Sequence, residues 1–186
     1  MLEAKLKKPV FVENGANAAA LGEWYAGALQ GAEHALAITL GTGVGCGILI
    51  HGKLYRGSNF AAGEMGHMVI QAGGRPCHCG RKGCWERYAS ATGLKQTTRE
   101  FLLQTTPATA PILWDTIEGD PKNIGGRTAF EAMRAGDPVG KAIVEQYLDH
   151  LGCGLVNAIN IFEPDILCIG GGVSHEGEAL LLPLQD

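Results

Sequence analysis

The residues best suited to chemistry crowd into one stretch, Glu64 to Glu86. It reads Glu64-Met-Gly-His67, then Cys77-His-Cys79-Gly80, then Gly83-Cys84-Trp85-Glu86. A structural zinc ion takes four thiolate or imidazole ligands in a tetrahedron. His67, Cys77, Cys79 and Cys84 supply that set and leave no open position for a catalytic water. Gly80 and Gly83 permit the tight turns that bring closely spaced thiolates round one ion. The stretch therefore reads as a closed Cys3His zinc clip. Disulfides are disfavoured, because nothing marks the chain as secreted and Cys77 and Cys79 would pair only under strain. His78 rivals His67 as a ligand, but it stands between two liganding cysteines and would have trouble pointing inward as well.

Two carboxylates flank the clip. A metal-bound histidine needs its second ring nitrogen satisfied, and that nitrogen can donate to a bound molecule. Glu64 and His67 are at i, i+3 and share a face on a helical turn. Glu86 follows Cys84 closely and is tied by the same metal. Two acceptors and one oriented donor suit adjacent sugar hydroxyls, although a solvated charge is the commoner fate of a glutamate.

The surrounding elements follow from local pattern. Residues 1–8 read as a helix tail broken at Pro9, and Val10-Phe-Val12 as a short strand. Asn17 is placed to cap a helix over 18–26. Ala35–Leu40 is a strand entering the turn Gly41-Thr42-Gly43-Val-Gly45, followed by a strand over 46–50. His51-Gly52 makes a hairpin turn into Lys53–Tyr55. The 41–45 turn can approach phosphates closely. It lacks the Walker pattern, and on its own a plain tight hairpin explains it better. Residues 86–92 and 95–103 read as helices, and 104–126, rich in Pro and Gly, as mostly connector. A helix over 128–135 closes at Gly136. Asp137 caps a long helix whose apolar residues Ile143, Tyr147, Leu151, Leu155 and Ile159 form a core face. Asp165–Ile169 is a final buried strand feeding Gly170-Gly171-Gly172, and Glu178–Leu182 begins a helix. Opening on a helix tail and stopping just after a helix begins suggests an internal fragment.

The composition suits one sizeable glycine-turned α/β core: 186 residues, 46% hydrophobic, 18% charged, 28 glycines. A net charge of −4 is too weak, and of the wrong sign, for a nucleic-acid surface. No apolar run spans a bilayer, and Met1–Lys8 lacks the apolar segment of a signal peptide. Cys46, Cys153 and Cys168 read as buried free thiols, which fits a reducing cytoplasm.

The ordered set E-x-G-H, ten residues, C-x-C-G-x-x-G-C-x-E resembles the signature of the ROK family of sugar kinases and repressors. The likeness extends over Glu13-Asn14-Gly15-Ala-Asn-Ala-Ala-Ala-Leu-Gly-Glu23, Leu40–Gly45 and Ile169–Ser174, and the first and last look most like the glucokinase branch. It implies the large lobe of an actin-like, hexokinase-type (ribonuclease H-like) α/β fold carrying an inserted zinc clip. On that view residues 1–32 are a remnant of the small lobe with a connecting helix, 33–186 form the large lobe, and 64–86 bind zinc. It further implies that Asn14, Glu64, His67 and Glu86 contact a hexose, that Gly41, Thr42 and Gly43 take ATP phosphates, and that Gly170, Gly171 and Gly172 lie at the adenosine. Mg²⁺ would accompany the ATP, and the whole protein would form a homo-oligomer. The family's kinases carry an upstream lobe with an Asp-x-Gly phosphate turn, a motif the sequence lacks.

One departure bears on activity. Between Asn14 and Ala16 the family's kinases carry an aspartate, the general base, whereas this chain has Gly15. General-base catalysis contributes typically ~10²–10⁴-fold, so the expectation is a glucose-phosphorylating parent activity that this chain performs poorly. The alternative is the sugar-sensing domain of a ROK repressor.

Overall fold

The computed structural model describes residues 2–10 and 12–185. Phe11, the centre of the expected 10–12 strand, lies outside these, and Val10 and Val12 are not in a strand. The chain folds into a mixed sheet between helices. The strands are β1 (Ala35–Leu40), β2 (Val44–Ile50), β3 (Lys53–Leu54) and β4 (Ile166–Gly170) in the order β3-β2-β1-β4. The helices used below are α2 (Gly15–Ala26, after a short α1 at Leu2–Leu6), α3 (Glu86–Ala89), α4 (Ala91–Leu102), α5 (Pro111–Thr116), α6 (Thr128–Arg134), α7 (Pro138–Phe162) and α8 (Glu178–Leu181).

Strand β1 is apolar at every position but Thr39 and is covered on both faces. Leu36, Ile38 and Leu40 join the main core with Trp85, Phe130, Tyr147 and Leu151, while Ala35 and Ala37 pack with Ala20, Leu29 and Leu49. Alternation along the strand puts these two sets on opposite sides. Small residues let α2 sit close to the sheet: a Cβ on Gly45 would come within 2.9 Å of the Ala16 methyl, and one on Gly47 within 2.7 Å of the Ala16 carbonyl. The start of α2 is thereby fixed beside the β1–β2 turn.

β1 pairs antiparallel with β2 and parallel with β4, with Thr39 opposite Gly170. Because β1 and β4 run the same way, their C-terminal ends deliver Gly41–Gly43 and Gly170–Gly172 to one edge of the sheet. That edge is where ligands bind in open α/β sheets.

Several local expectations give way to tertiary packing. The cap of α2 is Asn14, not Asn17: its Oδ1 accepts from Ala16 N (2.8 Å) and Asn17 N (3.4 Å), and the helix starts at Gly15. The 104–126 connector contains α5, and Ala110, Leu113, Ile117 and Ile124 are buried in the main core. Ser90 interrupts the helix expected over 86–92 and caps α4 through Gly93 N (3.0 Å). Ile159 is 46% exposed, so the apolar stripe of α7 leaves the core one turn before the helix ends. Strand β4 is half-buried, not buried, because it lies at the edge of the described sheet. Of the three thiols expected to be buried, only Cys46 is; Cys168 is half-buried and Cys153 exposed.

Candidate functional site

The zinc-clip residues converge. One ligand atom from each of His67, Cys77, Cys79 and Cys84 lies within 4.8 Å of the others. His67 Nδ1 is 3.5 Å from Cys77 Sγ, and Cys79 Sγ is 3.5 Å from Cys84 Sγ. A tetrahedral zinc with Zn–S of ~2.3 Å holds its sulfurs about 3.8 Å apart, so the donors fit such an ion in type, number and spacing. His78 is exposed and outside the cluster.

Local structure explains the convergence. Met65–His67 is a 3₁₀ turn with Met65 and Gly66 buried. The Cys77 N–H donates to Arg81 O (2.9 Å) and the Gly80 N–H to Cys77 O (3.1 Å), closing a knuckle with Gly80 at φ +86. Val69 bridges to Cys84, and the Trp85 N–H donates to Met68 O (2.7 Å). The thiols are electrostatically unlike. Burial pushes the Cys77 thiol up to about 12 and raises that of Cys84, while hydrogen bonds from Arg81 bring Cys79 down to about 6. A bound cation would override these preferences, since a coordinating thiol is deprotonated outright.

Glu86 joins the cluster. Its Oε1 accepts from Cys77 Sγ (3.2 Å) and stands 3.7 Å from His67 Nδ1. Its direction is set by Trp85, the preceding residue, which is fully buried and donates from Nε1 to His150 O (3.0 Å). A thiolate at Cys77 has no proton to donate, so metal ligation releases the Glu86 carboxylate from that bond. The other carboxylate oxygen lies against Gly43. Glu64 is exposed and makes no capping bond to its own turn.

Asn14 is partly committed by the cap, leaving its amide NH₂ as the remaining donor. Gly15 occupies the first turn of α2 with nothing within 4 Å of where a Cβ would stand. Glu13 is ill placed to act as the base that the resemblance leads one to expect at position 15: it accepts from Asn14 N (3.0 Å), Asn17 Nδ2 (3.1 Å) and Arg56 Nε (2.7 Å). Those bonds hold its carboxyl below the usual range, which weakens it as a base.

The two glycine turns meet at the sheet edge. The Gly41 N–H donates to Gly43 O (3.0 Å), and the Ala91 N–H to Gly41 O (2.9 Å), so the start of α4 braces the first turn. Gly171, at φ +90, approaches Leu40 so closely that a Cβ would come within 2.6 Å of the Leu40 carbonyl oxygen. Gly41, Gly170 and Gly172 face open space where their Cβ atoms would be. Such exposed backbone fits phosphates.

Three supports escaped the sequence reading. Gly154 of α7 lies flat against the Trp85 indole. Arg75 spreads over Tyr88 and donates to Arg87 O (2.9 Å) and Thr97 Oγ1 (3.0 Å), tying the clip to α3 and α4. Arg56 anchors its loop to Glu13. The buried Trp between Cys84 and Glu86 was a legible signal; the partners of Arg75 and Arg56 were not.

The fold that carries these residues is similar to that of known proteins. The ROK family pattern matches residues 1–185. A glucokinase of Halalkalibacterium halodurans is 40% identical over the whole chain, which spans 55% of that protein. The structure of a ROK family glucokinase from Streptomyces griseus in complex with glucose and AMPPNP superposes with a TM-score of 0.90 at 41% identity, covering 99% of this chain and 59% of that one. The xylose repressor of Bacillus subtilis is 32% identical over all of this chain and 43% of its own length. With one family's pattern running through the clip and both glycine turns, the chain belongs to the ROK family.

Proposed function

We propose that this chain carries most of the sugar- and nucleotide-binding lobe of a ROK glucokinase, whose whole-protein reaction transfers the γ-phosphoryl group of ATP to a hexose, glucose. In this reading residues 1–32 are a remnant of a small lobe with its connecting helix, and 33–186 belong to the large lobe of an actin-like, hexokinase-type fold. Support comes from about 40% identity to glucokinases and from the relative that binds glucose and AMPPNP. The carrying observation is the contact of Glu86 with Gly43, which sets the sugar-side carboxylate against the phosphate-side turn.

The roles are those that the resemblance to ROK kinases implies for these residues. Glu64, Glu86 and the Asn14 amide hold sugar hydroxyls. His67 turns Nδ1 to the thiolates and leaves Nε2 to donate. A zinc ion held by His67 and the three cysteines would fix that imidazole and supply no chemistry to the transfer. The backbone of Gly41, Thr42 and Gly43 receives phosphates, whose charge Mg²⁺ would neutralise when bound, and Gly170–Gly172 border the adenosine. Proton removal from the hydroxyl is the unfilled role, since Gly15 has no side chain. The proposal therefore includes impaired turnover.

A coupled assay tests it. The chain as given should form no glucose 6-phosphate above background while still binding AMPPNP; robust turnover would overturn the role assigned to Gly15. The second reading, a sugar-sensing repressor domain, draws on the xylose repressors among its relatives. It predicts sugar binding with no AMPPNP binding at all.

A further inference from the structure

A second group of metal-ligating side chains lies at the far end of the β1–β2 hairpin from the glycine turn. The six residues of β1 separate the two ends by about 20 Å at ~3.3 Å per residue. Here a carboxylate oxygen of Glu33 and one ring nitrogen each of His34 and His51 lie within 4.8 Å of one another. The two imidazoles meet edge to face, with ring centroids 4.6 Å apart.

The backbone beneath these side chains is pinned. Asp165 Oδ2 accepts from Glu33 N (3.0 Å) and His34 N (2.9 Å), and the Asp165 N–H donates to His34 O (2.8 Å). The Gly52 N–H donates to Glu33 O (2.8 Å), clamping the hairpin turn onto the strand's lead-in. His51 and Gly52 both adopt positive φ, the geometry of a two-residue hairpin loop. That geometry aims the His51 ring back at His34. Among the described residues, no salt bridge engages Glu33, so its carboxylate is free to ligate.

We propose that Glu33, His34 and His51 form a second metal site, selective for a late first-row divalent ion such as Zn²⁺ or Ni²⁺. Imidazole favours these ions over Mg²⁺ or Ca²⁺, and two histidines with one carboxylate is an established zinc donor set. The site differs in kind from the clip. The clip is thiolate-rich and closed, whereas this one offers three nitrogen and oxygen donors at the surface and leaves a position for water. Glu33 and His51 also border a cleft of about 540 Å³ shared with Trp24, Tyr25 and Gln30. An ion here would lock the hairpin turn to the strand and raise stability with the logarithm of the free metal concentration once that exceeds its Kd.

The test uses the whole chain carrying one zinc equivalent in its clip, titrated with NiCl₂ and separately with ZnCl₂ by calorimetry. Roughly one further equivalent should bind. His34→Ala and His51→Ala should each abolish it, and Glu33→Gln should weaken it several-fold. Melting curves of these surface variants without added metal should match the parent. Cobalt gives a second readout: bound at this site it lacks the thiolate charge-transfer absorption that the clip produces. Absence of a further equivalent, or one that persists in the His34→Ala/His51→Ala double variant, would overturn the proposal. Failure of the glucokinase reading leaves it untouched, because no sugar or nucleotide enters the experiment.

Discussion

One carboxylate oxygen of Glu86 stands 2.7 Å from where a Cβ on Gly43 would lie. The glycine thus makes room for the acid, and the acid joins the metal clip to the turn leaving β1. Gly43→Ala would push aside the end of a flexible side chain, so stability should change by less than ~0.5 kcal/mol. The Glu86 carboxylate should move, and any glucose affinity should fall about tenfold or more, as expected when a charged hydrogen bond worth ~1.5–3 kcal/mol is lost. Calorimetry beside a thermal melt separates the two effects; unchanged sugar affinity would count against Glu86 as a ligand.

Gly171→Ala should behave oppositely. Its neighbour is the Leu40 backbone, which cannot swing away, and its φ of +90 disfavours any side chain. A loss of about 1–3 kcal/mol is expected, read as a lower urea midpoint.

Trp85 links core stability to the clip. Gly154→Ala would drive a methyl into its buried indole, and overpacking of this kind costs about 1–3 kcal/mol. Since Trp85 lies between Cys84 and Glu86, the variant should also yield zinc to a chelator faster than the parent. Retention equal to the parent would show the clip to be independent of α7.

Thiol labelling reports the clip directly. With zinc bound, exposed Cys153 should react first and Cys46 last, because burial raises the Cys46 thiol to about 12. Chelation should add Cys79 as a fast-reacting thiol, exposed and brought down to about 6, while Cys77 and Cys84, buried and raised, follow more slowly. No change on chelation would rule out metal ligation by these cysteines.

Glu13 supplies a pH dependence. Its bonds to Asn17, Asn14 and Arg56 lower its carboxyl below the ordinary value. A lowered folded-state value contributes stability above the unfolded value of ~4.3, lost as pH falls through the folded one. Arg56→Ala should move the Glu13 titration upward, measurable by carbon NMR of the carboxylate. Glu13→Gln should flatten the acid limb of the stability curve.

Much of the site was legible because its information is local. The C-x-C-x4-C spacing, the His51-Gly52 turn, the Asp137 cap with Pro138 behind it and the strand over 35–40 each depend on residues a few positions apart. The misreadings share a different cause. Asn14 and Asn17 are equally good caps by type, and only the seating of Ala16 and Ala20 against Gly45 and Gly47 chooses between them. The segment over 104–126 has the composition of a loop, yet the core needs Leu113 and Ile117 to fill it.

The sequence by itself determined which sulfur, nitrogen and oxygen donors stand close enough to form a metal-type cluster, since donor type and short spacing are covalent facts. The tertiary structure alone decided that the two glycine turns share an edge, because that depends on β1 and β4 pairing in parallel across a long separation. It also decided that Glu86 faces Nδ1 of His67, because Trp85 beside it is buried in the main core, and that His34 meets His51 where the hairpin closes.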